Sequence, residues 1–219
     1  MQFSRIEEAL TTLRNGGFII LADNANRENE GDLVALGAHV QPAEIHQMLE
    51  VANGLMCVPV NRAIADRLGF SMMVKHSTDP NGTPFMTTTD GTLAATGVTT
   101  GVSAFDRAAT IHQIANPAAT AADFNHPGHI QPLLAQDKGI RVRNGHTEAS
   151  VDLAYLAGAE PVAVIIEVLK ADGHMARRDD LAKLAKQLTV PFITIDQIAS
   201  YMDAHQIEYA KDVATTAVK

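Results

Sequence analysis

The sequence carries one cysteine, no tryptophan and only 5% aromatic residues over its 219 positions. A lone thiol, Cys57, excludes an internal disulfide and any cysteine-built zinc site, and a reducing, cytoplasmic setting is the expectation. Basic residues are scarce as well. Only 17 Lys and Arg stand against 25 Asp and Glu, a formal charge of −8, which argues against nonspecific binding to nucleic acid or to a membrane surface. No apolar run approaches the ~20 residues of a membrane helix. The opening MQFSRIEE holds no apolar stretch, so no signal peptide is expected. Gly-x-Gly-x-x-Gly and Walker sequences are also missing, and Gly97-Val-Thr-Thr-Gly101 lacks the Lys-Ser/Thr ending of a phosphate-binding loop.

What is present is an alternation of helix and strand signals with no long linker. Ser4 and Glu7 are spaced as a capping box; Ile6, Leu10 and Leu13 follow on one helix face, and Gly16-Gly17 end it. Phe18–Ala22 reads as a buried strand, a polar loop covers 23–32, and a second strand starts at Leu33. Pro42 opens a helix with Ile45, Met48, Leu49 and Ala52 on one face and Gly54 at its close. Further strands are predicted at 55–60, near 140–143, at 162–169 and at 192–195. Helices are predicted at 61–68, from Ser103 to about Ala115, from near Thr147, over 181–188 and from Asp196. Residues 71–101 are rich in Thr, Gly, Asp and Pro, a loop of the length that is functional or disordered. Another turn is expected at Pro127-Gly128. The whole predicts one mixed α/β domain, helices on a sheet, with a mobile tail from Gln206.

Four clusters carry chemistry. Arg27-Glu28-Asn29-Glu30-Gly31-Asp32 places three carboxylates in five residues, a set suited to a hard divalent cation or simply an acidic loop facing solvent. Arg143-Asn144-Gly145-His146-Thr147-Glu148 lies where a helix begins, so unpaired backbone N–H groups and Arg143 suit a phosphate, and His146 a metal; otherwise Thr147 is only an N-cap. His126 and His129 flank Pro127-Gly128, where a general acid–base histidine and a surface histidine are comparable readings. Glu167 sits in the apolar run 162–169 and needs a partner, a shifted pKa or a role as a base. Cys57, within an apolar strand, reads as a small buried hydrophobe.

Taken in order, RENEGDL, GVTTGVSAFDRAATI, HPGHIQPL, RNGHTEASVDLAYLAGAEPVAVIIEVL and DGHMARRDDL closely resemble the 3,4-dihydroxy-2-butanone 4-phosphate synthases of riboflavin biosynthesis, over about residues 3–205. The resemblance implies a synthase domain at 1–205 followed by the tail, an α+β fold with helices packed around a mixed β-sheet, and a homodimer. It implies conversion of D-ribulose 5-phosphate to L-3,4-dihydroxy-2-butanone 4-phosphate and formate, by enolisation, dehydration, skeletal rearrangement and loss of C4, with two Mg²⁺ or Mn²⁺ ions per subunit. Glu28 and His146 match the family's metal ligands. Arg27, Asp32, Arg143, Gly145 and Thr147 match substrate contacts, a set that also takes in Glu28, His146 and Glu167. His129 and Glu167 match positions essential for catalysis, and Cys57 aligns with an active-site cysteine. Lys75-His76-Ser77-Thr78 and Gly82-Thr83-Pro84-Phe85-Met86 depart from the usual family pattern. The cysteines of a GTP cyclohydrolase II zinc site are missing, so a monofunctional form or a separated half is the expectation. Other phosphosugar chemistry (a metal-dependent isomerase or aldolase) and a non-catalytic sugar-phosphate binder are the alternatives.

Overall fold

A strand that is apolar at every position has to be covered on both faces, because successive side chains point opposite ways. The computed structural model, which describes residues 3–211, follows that rule. Its strands are β1 (Phe18–Ala22), β2 (Gly31–Leu36), β3 (Cys57–Val60), β4 (Thr89–Gly91), β5 (Phe124–Leu134), β6 (Ala163–Glu167) and β7 (Phe192–Thr194). They form one mixed sheet in the order β4-β5-β3-β6-β2-β1-β7. The helices are α1 (Ile6–Arg14), α2 (Pro42–Ala52), α3 (Arg62–Arg67), α4 (Leu93–Thr96), α5 (Ala104–Ala115), α6 (His146–Ala157), α7 (Arg178–Leu188) and α8 (Ile195–Ala204).

Side-chain parity divides the core into two layers. Ile20, Leu33, Ala35, Val58, Val164 and Ile166 pack with α2, α3, α5 and α7. Ile19, Val34, Leu36, Cys57, Ile165 and Ile193 pack with α1, α6 and α8. The central strands β2 and β6 are antiparallel with Asp32 opposite Glu167, and Cys57 of β3 lies opposite Ile165. Asp32, Cys57 and Glu167 therefore share the α6 face at one end of the sheet. No helix among the described residues is long and apolar enough to cross a membrane.

Several local expectations need correction. The first helix is capped at Arg5, whose backbone N–H and guanidinium both reach Glu8, while the Ser4 hydroxyl accepts from Phe192 N across the sheet edge. Asn53, not Gly54, takes the left-handed position after α2, with φ 62°. Gly145, not Thr147, caps α6. Pro127 and Gly128 are not a turn but part of β5, where Gly128 approaches the Thr89–Asp90 backbone so closely that a Cβ would lie 2.2 Å from Thr89 C. The strand expected near 140–143 is a 3-10 turn, Gly139–Arg141, because its Ile140 N–H is taken by the Asp152 carboxylate. In the expected tail, Ile207 and Ala210 pack on the α1–α6–α8 layer; residues 212–219 lie outside the described residues.

Candidate active site

Two chain segments meet above the shared face of Asp32, Cys57 and Glu167. The first is the acidic loop between β1 and β2, whose shape comes from Asp23. One oxygen of that buried carboxylate accepts from Glu30 N at 2.9 Å, the other from Glu28 N at 3.0 Å and the Arg27 guanidinium at 3.1 Å. From the start of α7, Arg177 donates to the carbonyls of Glu28 and Asn29, and Arg178 to the carbonyl of Asp23. The loop is thus fixed by charge-assisted bonds, and Glu28 and Glu30 are left facing the cleft.

The second segment is the start of α6. This helix is buried almost all round, polar residues included, so each of its buried polar groups requires a partner. Glu148 accepts from Arg143 at 2.7 Å and from Gln136 N at 3.2 Å, and the Ser150 hydroxyl donates to Thr147 O. At Gly145 a Cβ would meet Arg143 Nη1 at 2.5 Å and Arg27 Nη2 at 3.0 Å. The missing side chain lets two guanidiniums converge over the helix N-terminus, the arrangement that favours a phosphate.

Between the segments lies a cleft of about 240 Å³, lined among others by Glu28, Asp32, Cys57, Arg143, His146 and Glu167. A larger, open depression of about 880 Å³ lies beside Arg141 and Tyr209, but the histidine and the carboxylates of the first cleft are not among its walls. His146 is buried, with Nδ1 3.7 Å from Glu28 Oε2 and Nε2 3.9 Å from Asp32 Oδ1. Those spans are too long for hydrogen bonds, and neither Nε2 nor Asp32 Oδ1 has a hydrogen-bond partner. Such gaps fit a guest: ligand bonds of about 2.0–2.1 Å to His146 and Glu28 would span the one between them, which leaves Asp32 Oδ1 to a polar substrate group. Burial disfavours the charged imidazole, but Asp32, Glu28 and Asp23 outweigh it and push the His146 pKa up to about 9. Burial pushes Asp32 up to about 7, with Glu167, Glu28 and Glu30 adding to the rise against His146. The carboxyl of Glu28 is held below its ordinary value by His146 and Arg27 against burial. Glu167 accepts from Leu55 N at 2.8 Å, and Gly54 leaves the space its carboxylate fills.

The sequence profile of the family described as 3,4-dihydroxy-2-butanone 4-phosphate synthase matches residues 7–201. The chain belongs to that family. A riboflavin biosynthesis protein RibBA of Bacillus cereus (strain B4264) is 46% identical over 214 residues, which are 98% of this chain and 53% of the relative. The chain therefore spans about half the length of such curated relatives. RibBX, a two-domain synthase from A. baumannii, superposes with a TM-score of 0.86 at 41% identity, over 91% of this chain and 58% of that one. A synthase solved in complex with two magnesium ions superposes with a TM-score of 0.88 at 33% identity, over 94% of this chain and all of that one. The family makes 3,4-dihydroxy-2-butanone 4-phosphate in riboflavin biosynthesis, a lyase-type reaction.

Within this synthase fold, the structure gathers Arg27, Glu28, Asp32, Cys57, Arg143, Gly145, His146, Thr147 and Glu167 around one cleft. It does not bring His129 there: that imidazole, half exposed, bonds Asp90 through Nδ1 at 2.7 Å at the β4–β5 edge. Residues 71–101 include β4 and α4, and their Asn81, Thr83 and Phe85 reach the cleft, although the composition of the segment does not say which of its residues do so. Asp23 likewise belongs to no sequence motif. It groups with Glu28 and His146 as a candidate cation site, but both its oxygens are already occupied by loop donors, so it shapes the loop. Its one sequence signal is its place, the first acidic residue after a buried strand.

Burial, with Glu167 and Asp32 adding to it, pushes the Cys57 thiol well above its ordinary range. A neutral thiol is a poor nucleophile. Cys57→Ser should accordingly lower kcat by less than about tenfold, through packing alone; a loss of ~10⁴-fold in steady-state assays would instead make Cys57 a covalent nucleophile.

Proposed function

We propose that this chain converts D-ribulose 5-phosphate to L-3,4-dihydroxy-2-butanone 4-phosphate and formate. The observation that carries the reading is one cleft holding an unpartnered His146–Asp32 pair, Glu28, Glu167 and two converging guanidiniums in a chain of this family. The reaction balances without an outside reagent, since the water lost in dehydration returns when formate leaves. Arg27, Arg143, Thr147 and the N-terminal backbone of α6 hold the substrate phosphate, offsetting locally the net charge of −8. Glu28 and His146 would hold divalent cations, two Mg²⁺ or Mn²⁺ ions per subunit, with Asp32 facing the sugar. Bound there, the ions would polarise the sugar oxygens and stabilise charge developing on them. Glu167, oriented by Leu55 N–H, removes and returns the proton beside the carbonyl.

A homodimer is part of the proposal. His129 lies outside its own cleft, so it acts in catalysis only by reaching the cleft of a second copy. Support comes from the surface beside it: Gly101 abuts the His129 ring, and Val102 and Phe105 that follow are exposed, Phe105 by 75%. Scattering-derived mass in solution checks the state. The activity is tested by incubation with D-ribulose 5-phosphate and Mg²⁺. Stoichiometric formate and four-carbon phosphate are expected. Isomerised or cleaved sugar without formate would point to another phosphosugar enzyme, and binding without turnover to a non-catalytic homologue; either overturns the assignment.

A further inference from the structure

Deep in α6, one turn beyond Glu148, Asp152 is fully buried. Burying a carboxylate is costly, and here burial pushes its pKa up to about 7 despite the bond from Ile140 N. Its geometry shows what it faces. Oδ2 accepts from Ile140 N at 2.9 Å, whereas Oδ1 has no hydrogen-bond partner. Gly139, at φ 58°, rests directly on it: a Cβ there would lie 2.3 Å from both carboxylate oxygens. Only a glycine seats the backbone on this group.

That seat is connected to the cleft. Both Val142 N and Arg143 N donate to the Gly139 carbonyl, at 3.0 and 3.2 Å. Glu148, four residues before Asp152 and on the same helix face, takes Gln136 N at one end of the segment and the Arg143 guanidinium at the other. Two buried carboxylates of one helix thus hold segment 136–143 by its backbone at both Gln136 and Ile140.

We propose that Asp152 is a positioning residue for substrate binding: it seats the 136–143 segment so that Arg143 meets the phosphate. The inference rests on the proposed phosphate role of Arg143. Asp152 touches neither substrate nor cation. Its contribution appears in KM and passes through Arg143.

The test is a double-mutant cycle on the full chain, with D-ribulose 5-phosphate, formate release and thermal unfolding as readouts. Asp152→Ala should raise KM about tenfold, the scale of one lost buried hydrogen bond, with kcat within about twofold. Asp152→Asn keeps an acceptor for Ile140 N and should restore KM to near wild type. In an Arg143→Ala background, Asp152→Ala should change KM by less than about twofold. Equal KM increments in both backgrounds, an unchanged KM, or a loss confined to kcat would overturn the proposal. If Arg143→Ala itself leaves KM unchanged, the phosphate assignment fails instead. Hydrogen exchange then decides the seating separately: Asp152→Ala must raise exchange across 136–143, and unchanged exchange there overturns it. Should Asp152→Ala not fold, Asp152→Ser, too short to reach Ile140, makes the same comparisons.

Discussion

Glu167→Gln should lower kcat by about 10²–10⁴-fold, the range a general base supplies, while KM and cation affinity stay near wild type. The substitution keeps the side-chain volume, and its amide oxygen can still accept from Leu55 N, so the turn after α2 is undisturbed. What it removes is the carboxylate at the end of β6, directly opposite Asp32 on β2. The decisive measurement is exchange of the sugar C3 proton with solvent, followed by NMR alongside formate release. Slowed exchange places Glu167 at the first proton transfer. Exchange at the wild-type rate without formate moves its role to a later step, and normal turnover makes it structural.

Removing the proposed cation ligands should have a comparably large effect. Chelator in excess should abolish formate release, and added Mg²⁺ or Mn²⁺ should restore it. His146→Ala removes the imidazole beside Glu28 and Glu28→Gln its adjacent carboxylate, so each should weaken cation binding by at least about 100-fold in calorimetric titration, beyond what loss of an outer-shell partner costs. Folding should survive, since Glu28 lies on a loop and His146 in the first turn of α6. Wild-type titration curves for both variants, or full activity in chelator, would remove these residues from the ligand set.

How much of this was legible depends on whether the signal was local. Phe18–Ala22 and the Ser103-capped α5 follow from an apolar run and a cap, and both appear as expected. Cap positions shift by one or two residues, and the larger failures lie where a distant group overrides the local pattern. Pro127-Gly128 forms part of a strand because the Thr89–Asp90 backbone packs against Gly128, and 140–143 turns because Asp152, twelve positions beyond Ile140, takes its N–H. The cleft behaves likewise. Glu28 and Asp32, or Arg143 and His146, stand out as short clusters, but only the β2–β6 register shows that Asp32 and Glu167 face each other. Asn81 and Thr83 lie in a segment marked only by its turn-rich composition and its departure from the family pattern, neither of which tells where it packs; Arg143 meets the carbonyl of Asn81 across 62 positions.

The same register limits how the gene can change length. Side chains alternate along a strand, so one residue gained or lost within β2 or β6, with the pairing of the rest kept, would turn Asp32 or Glu167 toward the α2–α5 layer. Two residues would restore the face yet displace the group by about 6.6 Å along the strand, beyond reach of its neighbours. Insertions at the far ends of these strands, around Gly37 and Pro161, leave the pairing at Asp32 and Glu167 intact. Viable length variation should thus be found at that end of the sheet and be absent from the end that carries the carboxylates.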